Sequence, residues 1–442
     1  MRYKKYKETL EAIWFTSVPE NWRSTKMREV FSERNTKVSD KDYPALSVGK
    51  MGVVPQLDTA VKTDNGDNRK LICKGDFAIN SRSDRKGSSG ISEYDGSSSL
   101  IITVLKPHNE LNGKFYHYLL RSHYFVEEFY RNGHGLVSDL WTTKWDEMRN
   151  IYIPVPPREE QDQIVRYLDW KVSAINKLIH GYQKQIKLLE ERKLVIVDTI
   201  ITKGLNVSAE MRDSNLYWLG SIPKHWKLIR AKYLFNKEKR EPLADDEVVT
   251  CFRDGMVTLR KNRRTTGFTE SLQENGYQHI CKGDLVIHMM DAFAGAIGVS
   301  DSDGKGTPVY HCCTPLIDDI YVPFYMYFLR MMAHTGYIQS LYRGIRERST
   351  NFTFEVFSTQ LLACPPYEEQ TEIVSYIKAE HKKMDISISK LKEQVALLKE
   401  YRTRLISDVV TGQIDVRNVT IPEYEVETAE IESNDEEGDL DE

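Results

Sequence analysis

Membrane spans, disulfide frameworks and the common catalytic motifs are all missing from this 442-residue chain. No stretch approaches the ~18 uninterrupted apolar residues that cross a bilayer, and the start, Met1-Arg-Tyr-Lys-Lys-Tyr-Lys-Glu8, leads into no signal-peptide core, so a cytoplasmic protein is expected. The six cysteines (Cys73, Cys251, Cys281, Cys312, Cys313 and Cys364) contain no C-x-x-C pair, and only Cys312 and Cys313 are close in sequence. Reduced, mostly buried thiols are expected rather than disulfides or zinc ligands. There is no G-x-x-x-x-G-K-[ST], no H-E-x-x-H and no Cys/His zinc spacing, so the sequence assigns no catalytic, cofactor-binding or metal site. Proline is absent from residues 158–203 and 367–412, which leaves two long uninterrupted segments free to be helical.

Charge of one sign is lacking overall, since the net value is only −4, but its distribution is uneven. Residues 423–442 hold eleven acidic side chains and no Lys or Arg, the composition of a solvated, disordered tail. Residues 1–422 then carry 61 basic against 54 acidic side chains. That mildly basic body is compatible with nucleic-acid binding without demonstrating it.

What the chain does have is an internal repeat. Trp14, Pro19, Trp22 and Phe31 recur as Trp218, Pro223, Trp226 and Phe235, 204 residues later; Ile72-Cys-Lys-Gly-Asp76 recurs unchanged as Ile280-Cys-Lys-Gly-Asp284. Phe115-Tyr-His-Tyr-Leu-Leu-Arg121 matches Phe324-Tyr-Met-Tyr-Phe-Leu-Arg330, and from there a lag of 209 holds through Pro156-Pro-Arg-Glu-Glu-Gln161 and Pro365-Pro-Tyr-Glu-Glu-Gln370 to Thr202 and Thr411. Each copy opens with a Gly-, Ser- and aromatic-rich part, residues 14–157 and 218–366, whose short apolar runs read as a mixed α/β globule. Each closes with one long helix.

Heptad counting makes the helices specific. In the first, Val165, Val172, Ile179, Ile186, Lys193 and Ile200 fall at position a, and Leu168, Ile175, Tyr182, Leu189 and Ile196 at d. In the second, Val374, His381, Ile388, Val395, Arg402 and Val409 fall at a, and Ile377, Met384, Leu391, Leu398 and Leu405 at d. A 3.5-residue apolar period held over five heptads makes a coiled-coil seam, and two such helices in one chain are expected to pair antiparallel about a pseudo-twofold axis. The polar a residues Lys193 and Arg402 either set register or snorkel out of the seam. His381 reads as a tolerated seam residue. From Val165 to Ile200 the helix rises about 54 Å, enough to hold two reading heads on major-groove faces ~34–36 Å apart.

Two segments resemble catalytic loops and resolve to structure. Ala363-Cys-Pro-Pro-Tyr367 has the Pro-Pro-aromatic end of an adenine methyltransferase loop, but Cys364 replaces the Asp or Asn acceptor and the first copy reads Val155-Pro-Pro-Arg158. Both dipeptides read as the start of a helix. Phe293-Ala-Gly-Ala-Ile-Gly298 reads as a turn scaffold whose glycines align with Gly87 and Gly90. Around the shared glycines the side chains diverge, so one scaffold presents two surfaces, as expected either of heads reading different targets or of neutral drift in exposed loops. Candidate DNA-binding residues are Arg82, Arg85, Lys86, His134 and Lys144 in the first copy. In the second they are Arg260, Lys261, Arg263, Arg264, Arg343, Arg346, Arg348, Ser349 and Asn351, with plain solvated loops as the competing reading.

The P-x-x-W segments, the K-G-D turns and the doubled P-P-x-E-E-Q helix starts together resemble the specificity subunit of type I restriction–modification systems, over nearly the whole chain except the acidic tail. The resemblance implies an α+β protein: two mixed α/β target recognition domains (1–157 and 205–366) and two conserved spacer helices (158–204 and 367–412) in an antiparallel coiled coil. The C-terminal segment (413–442), with its acidic tail expected to be disordered, extends past the shared pattern. The resemblance also implies a non-catalytic subunit in which each target recognition domain reads half of a split double-stranded DNA sequence. The subunit recruits two methyltransferase subunits and restriction/translocase subunits, and S-adenosylmethionine, ATP and Mg belong to those partners. The competing readings are a self-contained DNA adenine methyltransferase and a coiled-coil scaffold without DNA specificity.

Overall fold

The computed structural model describes residues 2–57, 66–82, 86–108, 111–135, 141–263, 274–341 and 351–425. They fall into two compact units, one built from the described residues up to Gln183 and from Lys392 to Glu425, the other from those between Lys184 and Leu391. The fold class is α+β, with short antiparallel sheets and two long helices.

In the first unit the main sheet is antiparallel in the order Ser89–Ile91, Phe77–Asn80, Ile102–Pro107, Phe31–Glu33. At its centre the strand Phe77-Ala-Ile-Asn80, apolar up to its last residue, is buried along its whole length. The second unit repeats the order with Ile297–Val299, Leu285–His288, Tyr310–Pro315 and Phe235–Glu238. A separate pair, Arg23–Lys26 with Tyr152–Val155, recurs as Lys227–Arg230 with Leu361–Cys364. The sequence repeat is thus a repeat of topology. Each core closes around fully buried aromatics, Trp22, Phe77, Phe115, Tyr116 and Phe125 in one, Trp226, Phe235, Phe324, Tyr325 and Phe328 in the other.

The Pro-Pro dipeptides follow the Tyr152–Val155 and Leu361–Cys364 strands and lead into the long helices Arg158–Lys203 and Tyr367–Val410. Soon after the helices end come Gly204 and Gly412, with φ of 71° and 75°. A Cβ on Gly204 would sit 2.7 Å from the Glu369 carboxylate, and one on Gly412 2.5 Å from the Pro19 ring, so left-handed backbone and close approach both require glycine.

All 22 a and d residues of the two helices are buried or half-buried, while most residues between them are exposed. In the first unit Val165, Leu168, Ile175 and Ile179 share a cluster with Leu405 and Val409. Gln163 donates to the Val416 and Val419 carbonyls, and Asn176 accepts from Arg402, so advancing along one helix means retreating along the other. In the second unit Val197 and Ile201 pack with Ile373, Val374 and Ile377. There Lys193 pairs with Asp385 while Gly204, eleven residues on, lies against Glu369. Within each unit the helix segments run antiparallel.

Candidate nucleic-acid interface

The motif residues first do structural work. Trp22 Nε1 donates 2.7 Å to Glu160 Oε2, and Trp226 Nε1 donates 3.0 Å to Glu369 Oε2, so the W of each P-x-x-W is bonded to the second Glu of the P-P-x-E-E-Q in its own unit. Gln161 and Gln370 donate 2.9 Å to the carbonyls of Pro156 and Pro365. They accept from the backbone N–H of Asn112 and Tyr321, at 3.3 and 2.8 Å, fixing each helix start against its globule. In the K-G-D turns Asp76 and Asp284 are almost fully buried, accept from the backbone N–H of Cys73 and Cys281, and take the guanidinium of Arg34 and Arg240. A buried carboxylate satisfied in this way is a scaffold, not a catalyst.

In the first unit the structure brings Arg82, His134 and Lys144 together from three segments. Both Arg82 and His134 bridge to Thr142 through the backbone, and Thr143 N donates 3.0 Å to Ser81 O. All three side chains are exposed. His134 Nδ1 is 3.5 Å from Glu147, whose carboxylate also accepts from the Lys144 backbone N–H. Lys86 is drawn to the helix His123–Arg131, 2.5 Å from Glu127 Oε1 and 4.9 Å from the Tyr130 ring centre. Arg85 lies outside the described residues.

In the second unit Arg260 and Lys261 lie in a short helical turn, Arg260–Asn262, and Arg263 follows it directly. Lys261 pairs with Glu247, Arg263 reaches Asp254 at 2.6 Å and covers the Phe252 ring, and Arg260 Nε donates to Thr250 Oγ1 at 3.3 Å. Arg253, a basic residue not among the sequence candidates, pairs with Asp291 at 3.3 Å and so ties its own segment, which holds Arg263's partner Asp254, to the Met290-Asp291 loop. Asn351 stands 209 residues after Thr142, and the neighbouring Phe352 N donates 2.7 Å to Met289 O, as Thr143 does to Ser81. The two units therefore present Arg82 with Thr142 and Met290 with Asn351 at equivalent places. Arg264, Arg343, Arg346, Arg348 and Ser349 lie outside the described residues. Exposed ion pairs are worth ~0–1 kcal/mol, so the cations named here can exchange a carboxylate for a phosphate at little cost.

A missed pair is Arg121 and Arg330, the last residues of the matched F-Y-x-Y-x-L-R runs. Arg330 Nη1 donates 2.6 Å to Gly295 O and 3.3 Å to Arg253 O; Arg121 donates to Lys50 O and approaches His117 Nε2 at 3.0 Å. Burial, with Arg121 and Lys114 beside it, pushes His117 down to about 3, so its neutral ring can accept from the guanidinium. These arginines brace loops from beneath. Their repetition at lag 209 was the available signal.

In the seam, Lys193 Nζ is 2.5 Å from Asp385 Oδ1, and Arg402 Nη1 donates 2.6 Å to Asn176 Oδ1. Asn176 and Asp385 are themselves 209 residues apart, so each seam cation meets the same position of the other helix. His381 is half-buried, hydrogen-bonds the Lys193 carbonyl at 3.3 Å, and is held below its ordinary value by burial. The six cysteines are free; Cys251, Cys312 and Cys313 are buried, and Cys73, Cys281 and Cys364 half-buried. Among the described residues no helix is long and apolar enough to cross a membrane.

Residues 19–188 match the type I restriction modification DNA specificity domain. The chain is 20% identical over 430 residues to the "Putative type I restriction enzyme MjaX specificity subunit" of Methanocaldococcus jannaschii, covering 90% of this chain and 95% of that one. It is 24% identical over 283 residues to the MjaVIII specificity subunit of the same organism, 61% of this chain and 64% of that one. Among solved structures it resembles the HsdS subunit of Thermoanaerobacter tengcongensis, with TM-score 0.50, 16% identity and coverage of 90% and 98%. It also resembles a chain from work on complex assembly and conformational transition of the type I R-M system, with TM-score 0.66, 15% identity and coverage of 90% and 99%. The structural likenesses speak for the fold, and the repeat carries the matched domain's strand order into the second half. Residues 19–188 thus match a type I restriction modification DNA specificity domain, and over most of its length the chain is similar to specificity subunits of type I restriction enzymes.

Proposed function

We propose that each unit reads one half of a bipartite DNA sequence through its globular part and that the paired helices set the number of unread base pairs between the halves. The observation that carries this reading is the doubling of one topology with different side chains at equivalent positions, Arg82 and Thr142 against Met290 and Asn351. Arg and Lys bind phosphates or fork to guanine edges, whereas amides and small apolar side chains favour A·T pairs, so such differences give two specificities on one scaffold. The exposed faces of the helices, with Leu188 and Leu397 at repeat-equivalent positions, offer apolar surface for two methyltransferase subunits. Restriction/translocase subunits join that assembly, and S-adenosylmethionine, ATP and Mg act on these partners in the cytoplasm.

The test is to produce the chain with its methyltransferase subunit in a host free of other adenine methylation and to map N6-methyladenine. A split motif is expected. Replacing residues 14–157 by the corresponding part of a relative changes one half of that motif and leaves the other. Methylation without a split motif, or S-adenosylmethionine binding by the purified chain alone, contradicts the reading and favours a self-contained methyltransferase.

A further inference from the structure

We propose that His279, Cys281 and Asp303 of the second unit form a zinc-binding site, with Asp246 orienting the histidine. The strand Gln278–Ile280 pairs antiparallel with Gly304–Gly306, Ile280 standing opposite Gly304. His279 and Cys281 are two residues apart, hence on one face of that strand and its extension, and Asp303 precedes the partner strand directly across from Cys281. The ligand atoms of the three side chains all lie within 4.8 Å of one another. A tetrahedral zinc with ~2.0–2.3 Å bonds holds its donors roughly 3.5 Å apart, so closing on the ion asks for side-chain torsions of about 1 Å.

The surroundings prepare these groups for a cation. His279 Nδ1 lies 2.7 Å from Asp246 Oδ2 in a pair whose side chains are 13% and 7% exposed. With the Nδ1 proton given to Asp246, the lone pair resides on Nε2, the carboxylate–histidine arrangement that fixes metal-binding imidazoles. Asp246 is itself held by the Leu243 backbone N–H at 2.8 Å. Asp303 Oδ1 accepts from the Lys282 backbone N–H at 2.9 Å, which fixes that carboxylate beside Cys281 and leaves its second oxygen available. The neighbouring cations are already neutralised, Arg240 by Asp284 and Lys305 by Glu274. One nitrogen, one sulfur and one oxygen donor suit zinc, a borderline-soft ion, and not calcium or magnesium, which take oxygen ligands; the fourth position is left to water.

The repeat supplies an internal comparison. The first unit keeps the same turn, with Cys73, Asp95 and a Lys74 N–H donating 2.8 Å to Asp95, yet carries Leu71 where the second has His279. The cysteine and aspartate therefore belong to the shared scaffold, and the histidine is an addition of the second copy.

The experiment uses the full chain without a histidine tag, equilibrated with zinc chloride, desalted, and assayed for bound metal by mass spectrometry. Cobalt chloride supplies a parallel readout through its thiolate-to-metal charge-transfer absorption. One zinc per chain and the thiolate band are expected, both abolished in Cys281→Ser and His279→Leu and retained in Cys73→Ser, with Asp246→Asn weakening affinity about 10–100-fold. His279→Leu installs the residue that the first unit already accommodates, and its circular dichroism reports that the fold persists. Absence of retained zinc in the wild type, or equal retention in Cys281→Ser and His279→Leu, overturns the assignment.

Discussion

Glu160 accepts hydrogen bonds from the buried groups Tyr3 Oη, at 3.1 Å, and Trp22 Nε1, and it stands at the start of the first long helix. Removing the carboxylate strands a fully buried indole N–H, so Glu160→Ala is expected to cost about 2–3 kcal/mol of stability in urea unfolding. A neighbouring exposed change, Glu159→Ala, should cost less than about 0.5 kcal/mol. His334 illustrates a titrating contact. Its hydrogen bond to Asp198, 2.8 Å long, and the attraction of that carboxylate hold the imidazole above its ordinary value. The proton is bound more tightly in the fold, so the stabilisation is complete below the unfolded value of about 6.5 and is lost as pH rises through the raised one. The stability of wild type relative to His334→Phe, the residue found at the equivalent Phe125, therefore declines in denaturant titrations as pH rises from about 6.5 through the raised value. At the loops proposed to bind DNA, Lys144→Ala is expected to weaken binding uniformly across sequences and to lower the slope of log K against log salt by about 1. A loss confined to one sequence would instead make Lys144 a base reader.

The elements show which signals are local. The heptads could be read because a seam is a periodic demand: every a and d side chain in the two long helices is shielded, and a 3.5-residue repeat registers in one strand of text. Ile179 is 4% exposed and Leu188 54%, so Ile179→Ala is expected to cost about 2–4 kcal/mol and Leu188→Ala less than about 0.5 kcal/mol, as thermal or urea unfolding would measure. The sequence marked Lys193 and Arg402 as seam cations but not their partners, because Asp385 and Asn176 lie on the other helix, 192 and 226 residues away. For the same reason P-x-x-W and P-P-x-E-E-Q were visible as motifs while the Trp–Glu bonds joining them were not. Arg253 escaped notice because it is one basic residue in a turn, and only the fold sets it beside Asp291 and Arg263's partner Asp254. Candidate residues chosen by charge alone could not be separated from ordinary surface cations, since Lys86, Lys261 and Arg263 each have a local carboxylate.

At the scale of the whole chain, the repeat makes one scaffold serve twice. Two sheets with the same strand order, two Trp–Glu clamps and two seam cations show that duplication preserved what holds a unit together and released the side chains around its loops. On the proposed reading the helices act as a ruler between two recognition surfaces. The most direct measurement deletes one repeat-equivalent heptad from each helix, Tyr182–Leu188 and Leu391–Leu397, which keeps the seam in phase and retains both the Lys193–Asp385 and Arg402–Asn176 pairs. N6-methyladenine is then mapped in a host that also makes the methyltransferase subunit. Each helix shortens by about 10 Å, so the same two half-sites are expected with their spacing reduced by about three base pairs at ~3.4 Å each. Methylation of the original motif at its original spacing would contradict it.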